Sequence, residues 1–415
     1  MLKIIHTSDW HLGQNFYGYD RSEEQRDFLR QLADIAREHK PDALLVSGDI
    51  FHTAAPSNSA VNLYVEEMLN IHKACETMSI IVIAGNHDSA SRLDCDKRLW
   101  ELAGVTVIGS LARNEEGSAD LDRHIIRVRD KDNEVDKGII AAVPFAYPSS
   151  FPKTDAEGAN RQEAYFDALL HRVEEQNTSQ LPVVLMAHLA VNNSDFTGHD
   201  RNMKMECVEI SSLGEGYDYA ALGHIHRPQD VSERARYCGT PIPVSFDEQC
   251  EHSVSIVEID RHNDLPRIET KRIKNLRPLH TIPANEPVEL DAALDEVAIS
   301  KDIARAYIRL NVLVEQFLPN GAQERAANAV SAQLGRFCEI KKTARVVASG
   351  LSQQMSMEEF NSKQPIEVAN QYYIDTWQRE MTEREKEMFN YVYQLVEEEN
   401  RNETQETYHQ QYRID

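Results

Sequence analysis

The sequence predicts an α/β fold of layered β-sheets flanked by helices, followed by a small α+β domain and a pair of C-terminal helices. Three observations predict it. Near-continuous apolar, β-branched runs recur through the first 240 residues, the pattern of strands buried on both faces. Amphipathic helical stretches separate several of them, as in a sheet covered by helices. Asp, Asn and His residues follow the runs directly, and ligands gather at the carboxyl ends of strands in open α/β sheets.

The runs are "LKIIH" (2–6), "ALLVSG" (43–48), "IIVIAG" (80–85), "IIAAV" (139–143), "VVLMAH" (183–188) and "YAALGH" (219–224). The first helical stretch, "EEQRDFLRQLADIAREH", places Phe28, Leu32 and Ile35 on one face, and "SNSAVNLYVEEMLNIHKA" does so with Val61, Val65 and Met68. Near Arg277-Pro278 the pattern changes. "AYIRLNVLV" alternates, with Ile308, Leu310, Val312 and Val314 on one face, between helical "VELDAALDEVA" and "AQERAANAVSAQLGRF". "CEIKKTARVV" adds another strand, and the unit carries Arg305, Arg309, Lys341 and Lys342. Beyond Leu351 two amphipathic helices are expected. One starts at Pro365 and carries Ile366, Tyr373 and Trp377; the other opens with the capping box Thr382-x-x-Glu385 and carries Met388, Val392 and Val396. These changes divide the chain into 1–275, 276–350 and 351–415.

Hydrophobic content of 41% and charged content of 27% are those of a soluble globular protein. No apolar run approaches the ~20 residues that span a bilayer, and "MLKIIHTSDW" turns polar too early for a signal peptide. The six cysteines form no Cys-x-x-Cys pair, which fits reduced thiols in a cytoplasmic protein. With no Gly-x-x-x-x-Gly-Lys-Ser/Thr loop, no ATP site is expected in this chain. A net charge of −24 speaks at first sight against nucleic acid. Residues 265–350, with 13 Lys and Arg against 10 Asp and Glu, are the exception; residues 1–264 hold 25 against 44. So acidic a segment meets an anion only through bound cations.

The strand ends supply those cations with donors. Asp9-Trp10-His11, Gly48-Asp49, Gly85-Asn86-His87-Asp88, His188 and His224-x-His226 each stand at or after an apolar run. Side chains two apart in an extended chain face the same way, so His224 and His226 converge. Asp9, His11, Asp49, Asn86, His188, His224 and His226 suffice for two divalent cations ~3.5–4 Å apart. Carboxylate, amide and imidazole together suit Mn(II) or Fe(II), with Zn(II) left open. Each residue alone has an ordinary reading: His188 as a core histidine, Asp9 as a cap, Gly48-Asp49 as a turn. All of these together would require five coincidences at strand ends.

In this order, the motifs between residues 9 and 226 resemble those of the calcineurin-like metallophosphoesterases, with Ala187-His188 where many relatives have Gly-His. The resemblance implies one metal held by Asp9, His11 and His226, a second by Asn86, His188 and His224, and Asp49 bridging. "GDIFHTAAPS" lacks the arginine by which the family's protein phosphatases clamp phosphate. With "HTSDWHLGQ", "AGNHDS", "ALGHIHRPQ" and "YCGTPIPVSFDE" it is similar to the family's DNA nucleases. That likeness implies manganese-dependent exonuclease action on duplex ends and endonuclease action on hairpins and single strands. It further implies a homodimer in a heterotetramer with a coiled-coil ATPase, which would supply the ATP dependence.

Under the same likeness His87 stabilises or protonates the leaving oxygen, an indirect contact behind the ligands being its other reading. Asp88 reads as orienting an imidazole, and His52 as meeting the DNA end or a phosphate, or as forming a turn. Helices at 57–75 and 89–102 would pair two copies of the chain, making Val61, Leu63, Tyr64 and Met68 interface; core is the other reading. Arg305, Arg309, Lys341 and Lys342 either touch the DNA backbone or form a solvated face. The C-terminal helices either dock the ATPase or fold back on the small domain. A hydrolase of small nucleotide phosphodiesters and a non-catalytic scaffold remain the rival functions.

Overall fold

In the computed structural model, the described residues are 1–130, 133–154, 160–197, 207–248, 250–315, 317–344, 365–377, 379–386 and 388–390. Two six-stranded sheets form the first part. The first runs β14 (Arg267–Arg272), β13 (Ser253–Ile259), β1 (Leu2–Thr7), β4 (Ala43–Ser47), β5 (Ser79–Ile83), β6 (Val105–Ile108). The second runs β11 (Gln229–Ser232), β12 (Ala235–Tyr237), β10 (Tyr219–Gly223), β9 (Val183–His188), β8 (Val135–Val143), β7 (Ile125–Asp130). In each, four neighbouring strands are parallel: β1, β4, β5, β6 and β12, β10, β9, β8.

The parallel register sorts side chains into two cores. Ile4 opposes Ala43 and Leu45 opposes Ile81, and these four meet Ile140, Val184, Met186 and Ala221 of the second sheet between the layers. The alternate residues Ile5, Leu44, Val46, Ile80 and Val82 face outward and are covered by helices α1 (Ser22–His39) and α2 (Asn58–Ala74). Helix α5 (Arg161–Gln176) covers the second sheet through Tyr165, Phe166 and Leu169. Each fully buried aliphatic side chain contributes about 1.5–3 kcal/mol. Four layers therefore explain why the runs have no polar face.

On α2 the core residues are Ala60, Leu63, Tyr64, Met68 and Ile71. Of the expected stripe only Met68 is core: Val61 is half-buried and Val65 is exposed. Leu63, Tyr64 and Met68 are thus core. The exposed apolar surface here is Val65 and Leu69 with Leu99 and Leu102, on or at the end of α4 (Lys97–Leu102), which follows the short α3 (Ala90–Cys95).

A third sheet, all parallel, runs β15 (Leu279–Ile282), β16 (Tyr307–Val314), β17 (Arg336–Ala344). Helices α6 (Leu290–Ile299) and α7 (Ala322–Ala332) cover one face through Ala293, Val297, Ala326 and Val330. The other face of β16 is also buried, against expectation, because Tyr307 packs with Phe16 and Phe246. Phe16 comes from a short ribbon, β2 (Asn15–Phe16) and β3 (Tyr19–Asp20). Residues 1–344 form one compact unit, and 345–415 group separately. In the latter, α8 (Pro365–Trp377) stacks Tyr373 on Trp377, and the Thr382–Glu385 box closes reciprocally. Among the described residues no helix is long and apolar enough to cross a membrane.

Candidate metal centre

The carboxyl ends of β1, β4, β5, β9 and β10 lie together, and the loops that leave them are tied to one another. The Asp9 and His11 amides donate to the Gly48 and Asp49 carbonyls at 2.9 and 3.0 Å, and the Leu12 and His52 amides continue the pairing with Ile50 and Leu12. Asp9, His11, Asp49 and His224 all have φ between 46° and 103°, a region costing a non-glycine residue roughly 1–3 kcal/mol. The surrounding hydrogen bonds hold it. Glycine is required beside them: Gly48 has φ +92° and a Cβ there would meet the His188 ring, while one at Gly85 would meet the Asp49 carboxylate.

Seven expected ligands converge. His11 Nε2 lies 3.2 Å from His226 Nε2, and Asp9, His11 and His226 group closely enough to share one ion. On the other side Asn86 Oδ1 lies 3.0 Å from His188 Nε2 and 2.9 Å from His224 Nδ1. Asp49 stands between, with Oδ1 3.5 Å from His188 Nε2 and Oδ2 3.7 Å from His11 Nε2.

The donor set fits cations on chemical grounds. His188 Nδ1 is 2.8 Å from the Ser47 carbonyl and donates to it, so Nε2 offers a lone pair toward Asn86 and Asp49, which also bring lone pairs. His226 Nδ1 is 2.9 Å from Glu248 Oε1, which leaves the lone pair of its Nε2 toward His11. Acceptors aimed at acceptors call for positive charge between them. Burial, then the neighbouring Asp49, pushes Asp9 well above the carboxylate range, and burial lifts Asp49 to about 6. Burial lowers His188 to about 4 and, with the surrounding imidazoles, drives His11 well down. Neutral imidazoles and destabilised carboxylates are ligands short of a cation.

His87 lies on the open side. Its amide donates to Asp49 Oδ1 at 2.9 Å, its Nδ1 to the His52 carbonyl at 2.9 Å, and its Nε2 stands 4.0 Å from Asp49 Oδ2. His52 stacks beside it at 5.8 Å. Asp88 departs from expectation: its carboxylate accepts from the Ile50, Phe51 and Gly85 amides, so it fastens two loops rather than an imidazole.

The basic residues do not form one patch. Arg309 is buried, bonded to Asp247 at 2.9 Å and placed over Phe246, which corrects its expectation as a DNA contact. Lys341 and Lys342 are exposed on edge strand β17 opposite Asn311 and Val312. Arg305 is exposed too, but before β16 begins, about 20 Å away at ~3.3 Å per residue. In the C-terminal unit Ile366 and Tyr373 are half-buried, and Trp377 and Met388 are exposed; Val392 and Val396 lie outside the described residues. Sequence reasoning missed Ser8, whose hydroxyl donates to Asp9, and Glu248 behind His226. Glu248 ends the stretch "YCGTPIPVSFDE", and its place there was the available signal.

A calcineurin-like phosphoesterase family model matches residues 2–228. The chain is 31% identical over 319 residues to the SbcD subunit of the SbcCD nuclease from Rhodobacter capsulatus, covering 72% of this chain and 76% of that one. It is 30% identical over 262 residues to the protein of that name from Escherichia coli strain K12, covering 60% and 62%. With the Bacillus subtilis protein of the same name it shares 30% identity over 274 residues, 62% of this chain and 66% of that one.

Proposed function

The chain belongs to the calcineurin-like phosphoesterase family and, within it, to the SbcD subunits of the SbcCD nuclease, and on that premise we propose that it hydrolyses DNA phosphodiester bonds with two divalent metal ions. One observation carries the reading: Asp49 stands between the two groups of ligands, with Oδ2 toward His11 and Oδ1 toward His188, where its carboxylate would be shared by two ions. Asp9, His11 and His226 hold one ion, Asn86, His188 and His224 the other. When bound, the ions neutralise phosphate charge and polarise its oxygens. The mixed oxygen and nitrogen donors suit Mn(II) or Fe(II), and the likeness to the family's nucleases supports manganese.

His87 keeps Nδ1 on the His52 carbonyl. Its Nε2, in the protonated ring, delivers the proton to the leaving oxygen, a contribution of ~10²–10⁴-fold. His52, beside it, meets the DNA end. The activity comprises exonuclease action on double-stranded ends and endonuclease action on hairpins and single strands, in DNA end processing, replication, repair and recombination in the cytoplasm. ATP dependence comes from an SbcC-type coiled-coil ATPase. That partner docks on the C-terminal helices through Ile366, Tyr373, Trp377, Met388, Val392 and Val396. Two copies pair through the exposed Val65, Leu69, Leu99 and Leu102, giving a heterotetramer with the ATPase. Lys341, Lys342 and Arg305 contact the DNA backbone.

The test is cleavage of linear duplex, hairpin DNA and a small phosphodiester reporter with Mn(II), with and without the ATPase. Cleavage of both DNAs is expected, with the duplex dependent on the ATPase and ATP. Turnover of the reporter with both DNAs intact would contradict the proposal.

A further inference from the structure

The two halves of the candidate centre are braced differently. His188 is held by the Ser47 carbonyl, part of strand β4 inside the sandwich. His226 is held by a side chain, Glu248, on the loop of residues 243–248. A histidine that ligates through one ring nitrogen needs a partner for the other, which fixes its tautomer and aim. Glu248 is buried, and its second oxygen accepts from Thr240 Oγ1 at 3.0 Å and the Val244 amide at 3.1 Å. A carboxylate so fixed at one oxygen holds the imidazole at the other.

The loop itself is seated on the third sheet. Asp247 accepts from Arg309 Nη1 of β16 at 2.9 Å. The same guanidinium lies 4.9 Å over the Phe246 ring, and its Nε donates to Thr281 Oγ1 of β15 at 3.1 Å. Phe246 packs on Phe16 and Tyr307. At the loop's start Arg21 donates to the Pro243 carbonyl at 2.6 Å and Gln14 to the Val244 carbonyl at 3.2 Å. Consecutive residues thus grip the third sheet through Phe246 and Asp247, and the candidate metal ligand through Glu248.

We propose that Glu248 is a positioning residue for His226, and that the seating of the 279–344 sheet on Phe246 and Asp247, through Arg309, sets the affinity for the cation on the Asp9, His11 and His226 side alone. The proposal rests on the two-cation reading above. The cation on the Asn86, His188 and His224 side takes its bracing from β4 instead, through the Ser47 carbonyl.

Calorimetric titration of the metal-free full chain with Mn(II) tests it, alongside the thermal midpoint of each variant. Wild type is expected to show two sites. Glu248→Ala weakens one by about 10–100-fold and leaves the other unchanged; Glu248→Gln, which keeps an oxygen for the imidazole N–H, weakens it less. Arg309→Met weakens the same site by a smaller factor, and combining it with Glu248→Ala adds nothing, because the two act through one path. Two intact sites in Glu248→Ala, or two sites falling together with the thermal midpoint in both Glu248 variants, would overturn the positioning role. Additivity with Arg309→Met would overturn the link to the third sheet. A wild-type chain that takes up no Mn(II) would instead refute the two-cation reading itself.

Discussion

At the strand-end rim, buried carboxylates and imidazoles are aimed at one another and at the exposed Asn86 amide, with no compensating cation among the described side chains; on the 279–344 sheet, cations either face solvent or are already matched. Asp9, His11, Asp49 and His188 are all at most 2% exposed, and burial shifts each toward neutrality. Arg309 is buried as well, but Asp247 and the Phe246 ring answer its charge. Lys341 and Lys342 stand open on an edge strand, where lysine also discourages pairing with another chain. Buried charge therefore carries two meanings. A satisfied group is architecture, whereas a set of groups that satisfy one another badly awaits a ligand.

The contrast breaks most readily at Asp49. Asp49→Ala is expected to lose both ions and to reduce nuclease activity by about 100-fold or more; normal Mn(II) uptake in this variant would mean that the rim is ordinary polar structure. His87→Ala should bind metal as wild type does while the cleavage rate falls by ~10²–10⁴-fold. Metal content and single-turnover rate, measured on one preparation, separate the two, and an unchanged rate would remove His87 from the chemistry. The smallest effect is expected on the third sheet. Replacing Lys341 and Lys342 with alanine should lower the salt slope of DNA binding by about 2, whereas Arg309→Met should leave it unchanged. A slope that responds only to Arg309 would reverse the assignment of matched and open cations.

Much of the rim was legible in the sequence because its residues sit at strand ends. Asp-x-His and Asn-His-Asp follow apolar runs of one sheet and His-x-His a run of the other, and the two sheets carry them to one place. Glu248 left no such trace: it reaches His226 across 22 residues from a loop with no periodicity. Asp88 was visible as a residue but not as a binder of backbone amides, since nothing in a sequence says which amides a turn will present. For the fold, the apolar runs announced strands buried twice over, yet not that a second sheet covers one face and helices the other. Alternation in "AYIRLNVLV" identified one buried face; Tyr307 and Arg309 read as the solvent side until Phe16 and Phe246 supply a surface against them. On α2, Val61 and Val65 fit the helical period as well as Leu63 and Tyr64 do. Periodicity gives a face to each set without saying which one meets the sheet.

Anomalous scattering at the manganese edge, from crystals of the full chain grown with Mn(II), locates the ions without reference to activity. Two peaks are predicted, one among Asp9, His11 and His226 and one among Asn86, His188 and His224, with Asp49 touching both. No peak at the strand ends, or a single peak that leaves Asp49 on one side only, would refute the two-metal centre.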